Sequence, residues 1–224
     1  MITVATWNVL HRVHADNWAE DVVGQWPDES KRIKAVADRV AELEEQVVAL
    51  QEVSGDLLWA LKVIPNRTVH AMRYPRTPSA RRVPSPLYDS REYLVLLVNG
   101  PSEEIDWDPF PNDAGKGALA VEVQGHTIVA THVSWGDTKR PTQLALLREY
   151  EPAVLLGDFN ADGATVLRDL GPGYELAELP WGATTRHDQT IDHVITNGVT
   201  ATEARVLEAD GLSDHRPVRA TINW

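Results

Sequence analysis

With 224 residues, 43% of them hydrophobic and 24% charged, the chain has the make-up of a globular protein long enough to bury one sizeable core, which excludes intrinsic disorder. No apolar run approaches the roughly 18 residues of a membrane helix, which excludes membrane insertion, and the absence of cysteine removes disulfides, thiolate metal sites and cysteine nucleophiles. The net charge of −12 disfavours nonspecific binding to long nucleic acid, yet the charge is uneven, with Lys62 to Glu92 carrying +5 and the rest of the chain −17.

A single domain over 1–224 is expected, and because a strand begins at once, without a basic and then apolar leader, the cytoplasm is the expected compartment. Ile2 to Thr6 alternates with period two and runs into Trp7-Asn8, a strand ending in a polar loop. His11 to Gln25 is polar and irregular. Pro27-Asp28 opens a helix to about Glu45, with Ile33, Val36, Ala37, Val40 and Ala41 at three- and four-residue spacing. Val47 to Leu50 reads as a strand buried on both faces that delivers Gln51-Glu52, and Ser54 to Leu61 as a short helix. Five prolines interleaved with arginines between Pro65 and Pro86 predict a long exposed loop, within a basic stretch at about 65–91. Tyr93 to Val98 returns to strand.

In the second half, Leu119 to Val123 and Thr127 to Val133 flank a tight Gln124-Gly125-His126 turn, and Thr142 to Tyr150 reads as a helix. Strands are expected at Val154 to Leu156, Ile191 to Thr196, Glu203 to Glu208 and Pro217 to Ile222. Strands outnumber helices, so the class is α+β.

Acidic, amide and imidazole side chains gather at the strand ends: Asn8, Glu52, His132, Asp158 with Asn160, and the group Asp192, Asp214, His215. Hard oxygen and imidazole donors without sulfur suit Mg2+ or Mn2+. Taken singly, each has a plainer reading. Asp158 and Asn160 can close a turn, Ser213-Asp214-His215 can cap one, and Glu52 can be a solvated strand end.

Taken together and in order, Thr6-Trp7-Asn8, Leu50-Gln51-Glu52-Val53, Thr131-His132, Gly157-Asp158-Phe159-Asn160, Ile191-Asp192-His193 and Ser213-Asp214-His215 resemble the motif series of the deoxyribonuclease-I-like endonuclease/exonuclease/phosphatase superfamily. That resemblance implies a four-layer α/β/β/α sandwich of two mixed sheets with helices outside, and a site at one end of the sheets. It also implies roles. Glu52 resembles the principal metal-ligating glutamate, Asn8 the amide beside metal or phosphate, and Asp214 a further metal-site carboxylate. Asp158 resembles the aspartate that orients or deprotonates water, Asn160 a holder of a phosphate oxygen, and His215 the histidine on the phosphate, positioned by Asp192; His132 is similar to a second such histidine in some branches. The sequence departs from the abasic-site endonucleases in having no motif that matches their catalytic tyrosine, Tyr88 and Tyr93 being candidates by rough position alone.

The implied activity is Mg2+- or Mn2+-dependent hydrolysis of a phosphodiester or phosphomonoester. A repair-type DNA or RNA nuclease is the rival reading, and a catalytically silent phosphate-binding module a third. The expected partner is a phosphorylated small molecule, nucleotide or short nucleic acid, with no protein partner inferable. Arg81, Arg82, Trp135 and His187 are candidate substrate contacts, Trp181 a further one, while His11 and His14 read as solvated loop histidines.

Overall fold

The computed structural model describes residues 1–180 and 182–224; Trp181 lies outside the described residues. Two six-stranded mixed sheets lie face to face. The first is built from β1 (Ile2–Asn8), β2 (Val47–Ser54), β3 (Thr68–Arg73), β4 (Glu92–Val98), β11 (Thr200–Val206) and β12 (Val218–Asn223), in the order β11-β12-β1-β2-β4-β3. The second, ordered β5-β6-β7-β8-β10-β9, is built from β5 (Glu103–Pro109), β6 (Gly117–Val123), β7 (His126–His132), β8 (Val154–Asp158), β9 (Tyr174–Leu176) and β10 (Asp192–Asn197).

Central strands are apolar on both faces because each face meets another layer. Val4, Val47, Ala49, Leu94, Leu96, Ala130, Leu156 and Val194 form the core between the sheets. The alternate residues of the first sheet, Ala5, Trp7, Val48, Leu50, Val95 and Leu97, face α3 (Glu29–Glu42) and α4 (Gly55–Leu61). On the far side, Ala120, Val129 and Leu155 face α5 (Arg140–Glu149) and α6 (Gly163–Leu170). The result is the expected α/β/β/α sandwich.

One topological feature places the site. In each sheet one pair of strands is parallel, β1 with β2 and β7 with β8, joined by crossovers that contain α3 and α5. Parallel strands end on the same side, so Asn8 and Glu52 leave one sheet where His132 and Asp158 leave the other. Helix α3 is tied to this rim by Arg32, which is buried, pairs with Glu29 at 2.7 Å and donates to the carbonyls of Val9, Leu10 and Leu212.

Several local expectations are corrected. His11 to Gln25 is not irregular: it carries α1 (Arg12–Trp18) and α2 (Asp21–Gln25), the first started by the His11 side chain accepting from Val13 N and braced by Arg12–Asp16 and Arg12–Glu29 ion pairs. The span from Pro65 to Pro86 is not one loop. Its prolines flank β3 without interrupting it, and β3 pairs with β4 along its whole length. Strands β5 and β9 and helix α6 are additional elements. The tight turn between β6 and β7 is as expected, with Gln124 and Gly125 both at positive φ. Among the described residues no helix is long and apolar enough to cross a membrane.

Candidate active site

Register alone brings three of the expected groups into one row. His132 pairs with Asp158 across β7 and β8, and Asp158 with Asp192 across β8 and β10. Residues at the same register of adjacent strands point to the same face, here the face that carries Ala130, Leu156 and Val194 toward the other sheet. All three side chains are buried.

Glu52 reaches the same place by breaking the rule. Strand parity would align it with Val48 and Leu50 on the outer, helix-covered face. Instead the pairing of β2 with β4 shifts between Leu50 and Val53, and Glu52 itself sits in the left-handed region at φ 59°. This bulge turns the carboxylate to the rim, where Oε1 accepts from Asn8 Nδ2 at 3.2 Å and Oε2 from His11 N at 3.0 Å. A non-glycine residue in this conformation costs free energy that the neighbouring structure must offset, a cost common where a side chain has work to do.

Asn8 joins the two sheets. Its amide nitrogen spans Glu52 and Asp158 Oδ2, the latter at 3.1 Å, while its side-chain oxygen accepts from Leu10 N at 3.0 Å. Asp158 Oδ1 accepts from Asn160 N at 2.9 Å, and Asn160 turns its own amide onto the Val133 carbonyl at 2.9 Å. Around Oδ2 of Asp158 stand His132 Nε2 at 3.3 Å and His215 Nε2 at 4.0 Å. His215 Nδ1 meets Asp192 at 2.9 Å, and the loop that carries it is fixed by Trp7 Nε1 donating to its carbonyl and Ser213 Oγ donating to the Asn8 carbonyl. Asp214 lines the same cleft, and its backbone carbonyl accepts from Arg186 N.

The charges are arranged asymmetrically. Burial alone would raise the Glu52 and Asp158 carboxyls, but His14, His132 and Lys116 around the first, and His132, His215 and Lys116 around the second, hold both well below the usual range. Burial would lower His215, and Asp192, Asp158 and Asp214 overcome it, so the imidazole keeps its proton well above the ordinary histidine pKa. Desolvation pushes Asp214 upward.

Of the expected substrate contacts, Arg81 and Trp135 line the cleft of about 520 Å³ over these groups, whereas Arg82 and His187 do not. An adjoining hollow of about 450 Å³ shares Trp135 and Asn160. Tyr88 is fully exposed and Tyr93 packs on the outer apolar layer, so neither enters the site. The buried tyrosine beside it is Tyr74, whose hydroxyl has no hydrogen-bond partner among the described residues and whose pKa is raised by burial and then by Glu92, Glu52 and Asp158.

Sequence reading missed further residues. Lys116 lines the cleft and touches His132 Nε2. His14, on α1 rather than in a solvated loop, pairs with buried Glu92 at 3.1 Å, and the two lie with Glu52 in a second cluster of donors. His11 is buried, not solvated. Nothing in local sequence pattern distinguishes Lys116 or Glu92 from other charged residues at strand starts.

The donor set fits a hard divalent cation. The carboxylates of Glu52 and Asp158 converge on one amide group in a desolvated rim, an arrangement of like charge that oxygen-preferring cations relieve.

Comparison with known proteins agrees with this fold. A family model described as Endonuclease/Exonuclease/phosphatase family matches residues 5–215. Among solved structures, an endonuclease/exonuclease/phosphatase from Bacteroides vulgatus superposes with a TM-score of 0.72 at 19% identity, covering 99% of this chain and 98% of that one. The human Nocturnin catalytic domain with bound sulfate anion gives 0.71 at 17% identity over 99% and 93% of the two chains. TDP2 from D. rerio complexed with single strand DNA product gives 0.66 at 14% identity over 100% and 99%. No curated protein matches the chain by sequence.

Proposed function

The chain belongs to the endonuclease/exonuclease/phosphatase family, and on that premise we propose that it is a divalent-metal-dependent phosphoesterase that cleaves a phosphate ester by attack of water. The observation that carries the reading is the meeting of the His132–Asp158–Asp192 row of one sheet with Asn8 and the bulge-turned Glu52 of the other.

In this reading Glu52 is the principal ligand of Mg2+ or Mn2+, with Asp214 at its border. The bound cation would neutralise phosphate oxygens and lower the pKa of water. Asn8 acts through its amide hydrogens, holding Glu52 and Asp158 at a fixed separation. Asp158, ionised and fixed through Oδ1 by Asn160 N and through Oδ2 by Asn8 Nδ2, faces the cleft in which it would orient the attacking water. A carboxylate with so low a proton affinity serves better as a positioner than as the final proton acceptor.

His215, held cationic by Asp192, supplies a donor to a phosphate oxygen where charge builds in the transition state. Lys116, beside His132, adds positive charge on the second sheet's side of the same oxygens. Asn160 lines the cleft beside them and orders Asp158 through its backbone.

Hydrolysis of bis-p-nitrophenyl phosphate with added Mg2+ or Mn2+ tests the reading. Glu52→Gln and His215→Ala should each lower turnover by roughly 100-fold or more while the circular dichroism spectrum is kept. Undiminished turnover in both variants would overturn the assignment.

A further inference from the structure

Trp18 and Trp135 are large apolar side chains left in solvent, 70% and 65% exposed, and both border the cleft. They come from opposite sheets, Trp18 from α1 after β1 and Trp135 from the loop after β7. Among the described residues neither belongs to a core cluster, and both present their rings at the mouth of the cleft.

Beside Trp18 the basic loop is pinned to the cleft. Asn17 donates through Nδ2 to the Ser79 carbonyl at 3.0 Å and accepts from Arg81 N at 2.9 Å, so one side chain clasps both ends of the segment 79–81. Pro78, just before it, is buried and lines the cleft. Arg76 is seated separately. Its backbone N donates to the Ala114 carbonyl, and its guanidinium lies over Gly115, where any Cβ would overlap it.

Arg76 also approaches Asp113 at 3.7 Å, but that carboxylate is already engaged by Lys139 at 3.0 Å and Ser134 at 2.8 Å. The guanidinium, half exposed, therefore keeps most of its donors for the cleft. A loop present only for solubility needs neither a clasp nor a seat, and a chain with −12 net charge gains no solubility from a +5 segment.

We propose that Trp18, Arg76 and Arg81 form a recognition subsite for a planar ring and a second anionic group on the substrate, with Asn17 and Gly115 as positioning residues. The preferred ester is then a nucleotide bearing a phosphate besides the one attacked, in preference to a sugar phosphate or a singly charged diester. The inference rests on the phosphoesterase reading for the ester that is cleaved, but the subsite is defined by binding.

The test uses hydrolysis-resistant phosphorothioate dithymidylate, with and without a 5′-phosphate, titrated against the full chain in Mg2+ by fluorescence. In the natural sequence, omitting the 5′-phosphate should weaken binding roughly tenfold or more. In Arg81→Ala, Arg76→Ala, Gly115→Ala and Asn17→Ala the same omission should cost little, because its partner is already lost or displaced. Trp18→Ala should weaken both ligands by roughly fivefold or more, and Trp18→Phe should restore much of it.

An unchanged 5′-phosphate effect across the four variants, or indifference to Trp18→Ala, would overturn the subsite. Failure to hydrolyse any ester would instead overturn the catalytic reading, and leaves this binding comparison able to decide the subsite.

Discussion

Glu52→Gln separates a cation-binding carboxylate from a merely structural one, because the two roles predict opposite responses to metal. The carboxylate accepts from two donors, Asn8 Nδ2 at 3.2 Å and His11 N at 3.0 Å. Glutamine has one acceptor oxygen, so its amide nitrogen must face one of those donors, a mismatch of about 1–3 kcal/mol. The substitution also removes a negative charge that His14, His132 and Lys116 favour in its ionised form, so that stability is lost as well.

In EDTA both effects lower stability, and the variant should melt below the parent. Saturating metal then divides them. At about one hundred times its dissociation constant, Mg2+ stabilises the parent by about 2.7 kcal/mol, or about 5–11 °C for a chain of this size. The variant, without its principal ligand, should gain little. Differential scanning calorimetry with and without MgCl2 reads this directly, and an equal rise in both proteins would refute the reasoning.

Asp192→Asn should lower turnover by roughly 100-fold or more and move the alkaline limb of the pH–rate profile toward acid, because His215 then loses the Asp192 charge and hydrogen bond that raise its pKa against burial. The sign for stability follows from the same shift. The raised pKa contributes stability that is complete below the unfolded histidine value and is lost as pH rises through the folded one; an unmoved limb would contradict the assignment. Arg32→Met should cost about 3–5 kcal/mol in denaturant melts, since it leaves buried Glu29 without its 2.7 Å partner and frees the carbonyls of Val9, Leu10 and Leu212 that frame the rim. A cost below about 1 kcal/mol would show that the rim does not depend on it.

The parts of the fold that could be read from sequence are those whose own pattern reports their surroundings. Val47 to Leu50 and Val154 to Leu156 are continuous apolar runs because both faces are covered. The polar residues that end them, Glu52 and Asp158, stand out for that reason. Strand β5 gave no such signal: its acidic residues are exposed and it exists through pairing with β6 at the sheet edge. Helix α1 was hidden because it is held by ion pairs and a histidine cap instead of an apolar stripe.

Within the site, the row His132, Asp158 and Asp192 follows from strand register once the sheet order is known. Glu52 does not, because a strand of regular parity would point it away, and only the bulge at positive φ corrects this. Lys116, His14, Glu92 and Arg76 arrive from strand starts, a short helix and a loop whose directions are set by tertiary contacts. Arg82, adjacent to Arg81 and equally basic, lies outside the cleft lining; composition located the basic loop but could not say which of its arginines faces inward.

The most direct test of the central claim is a crystal soaked in Mn2+ and measured at the manganese absorption edge. The predicted result is an anomalous peak at coordination distance, about 2.0–2.3 Å, from the Glu52 carboxylate, within the cleft that Asp158 and His215 line. Full Mn2+ occupancy elsewhere on the molecule, with no peak beside Glu52, would contradict the account.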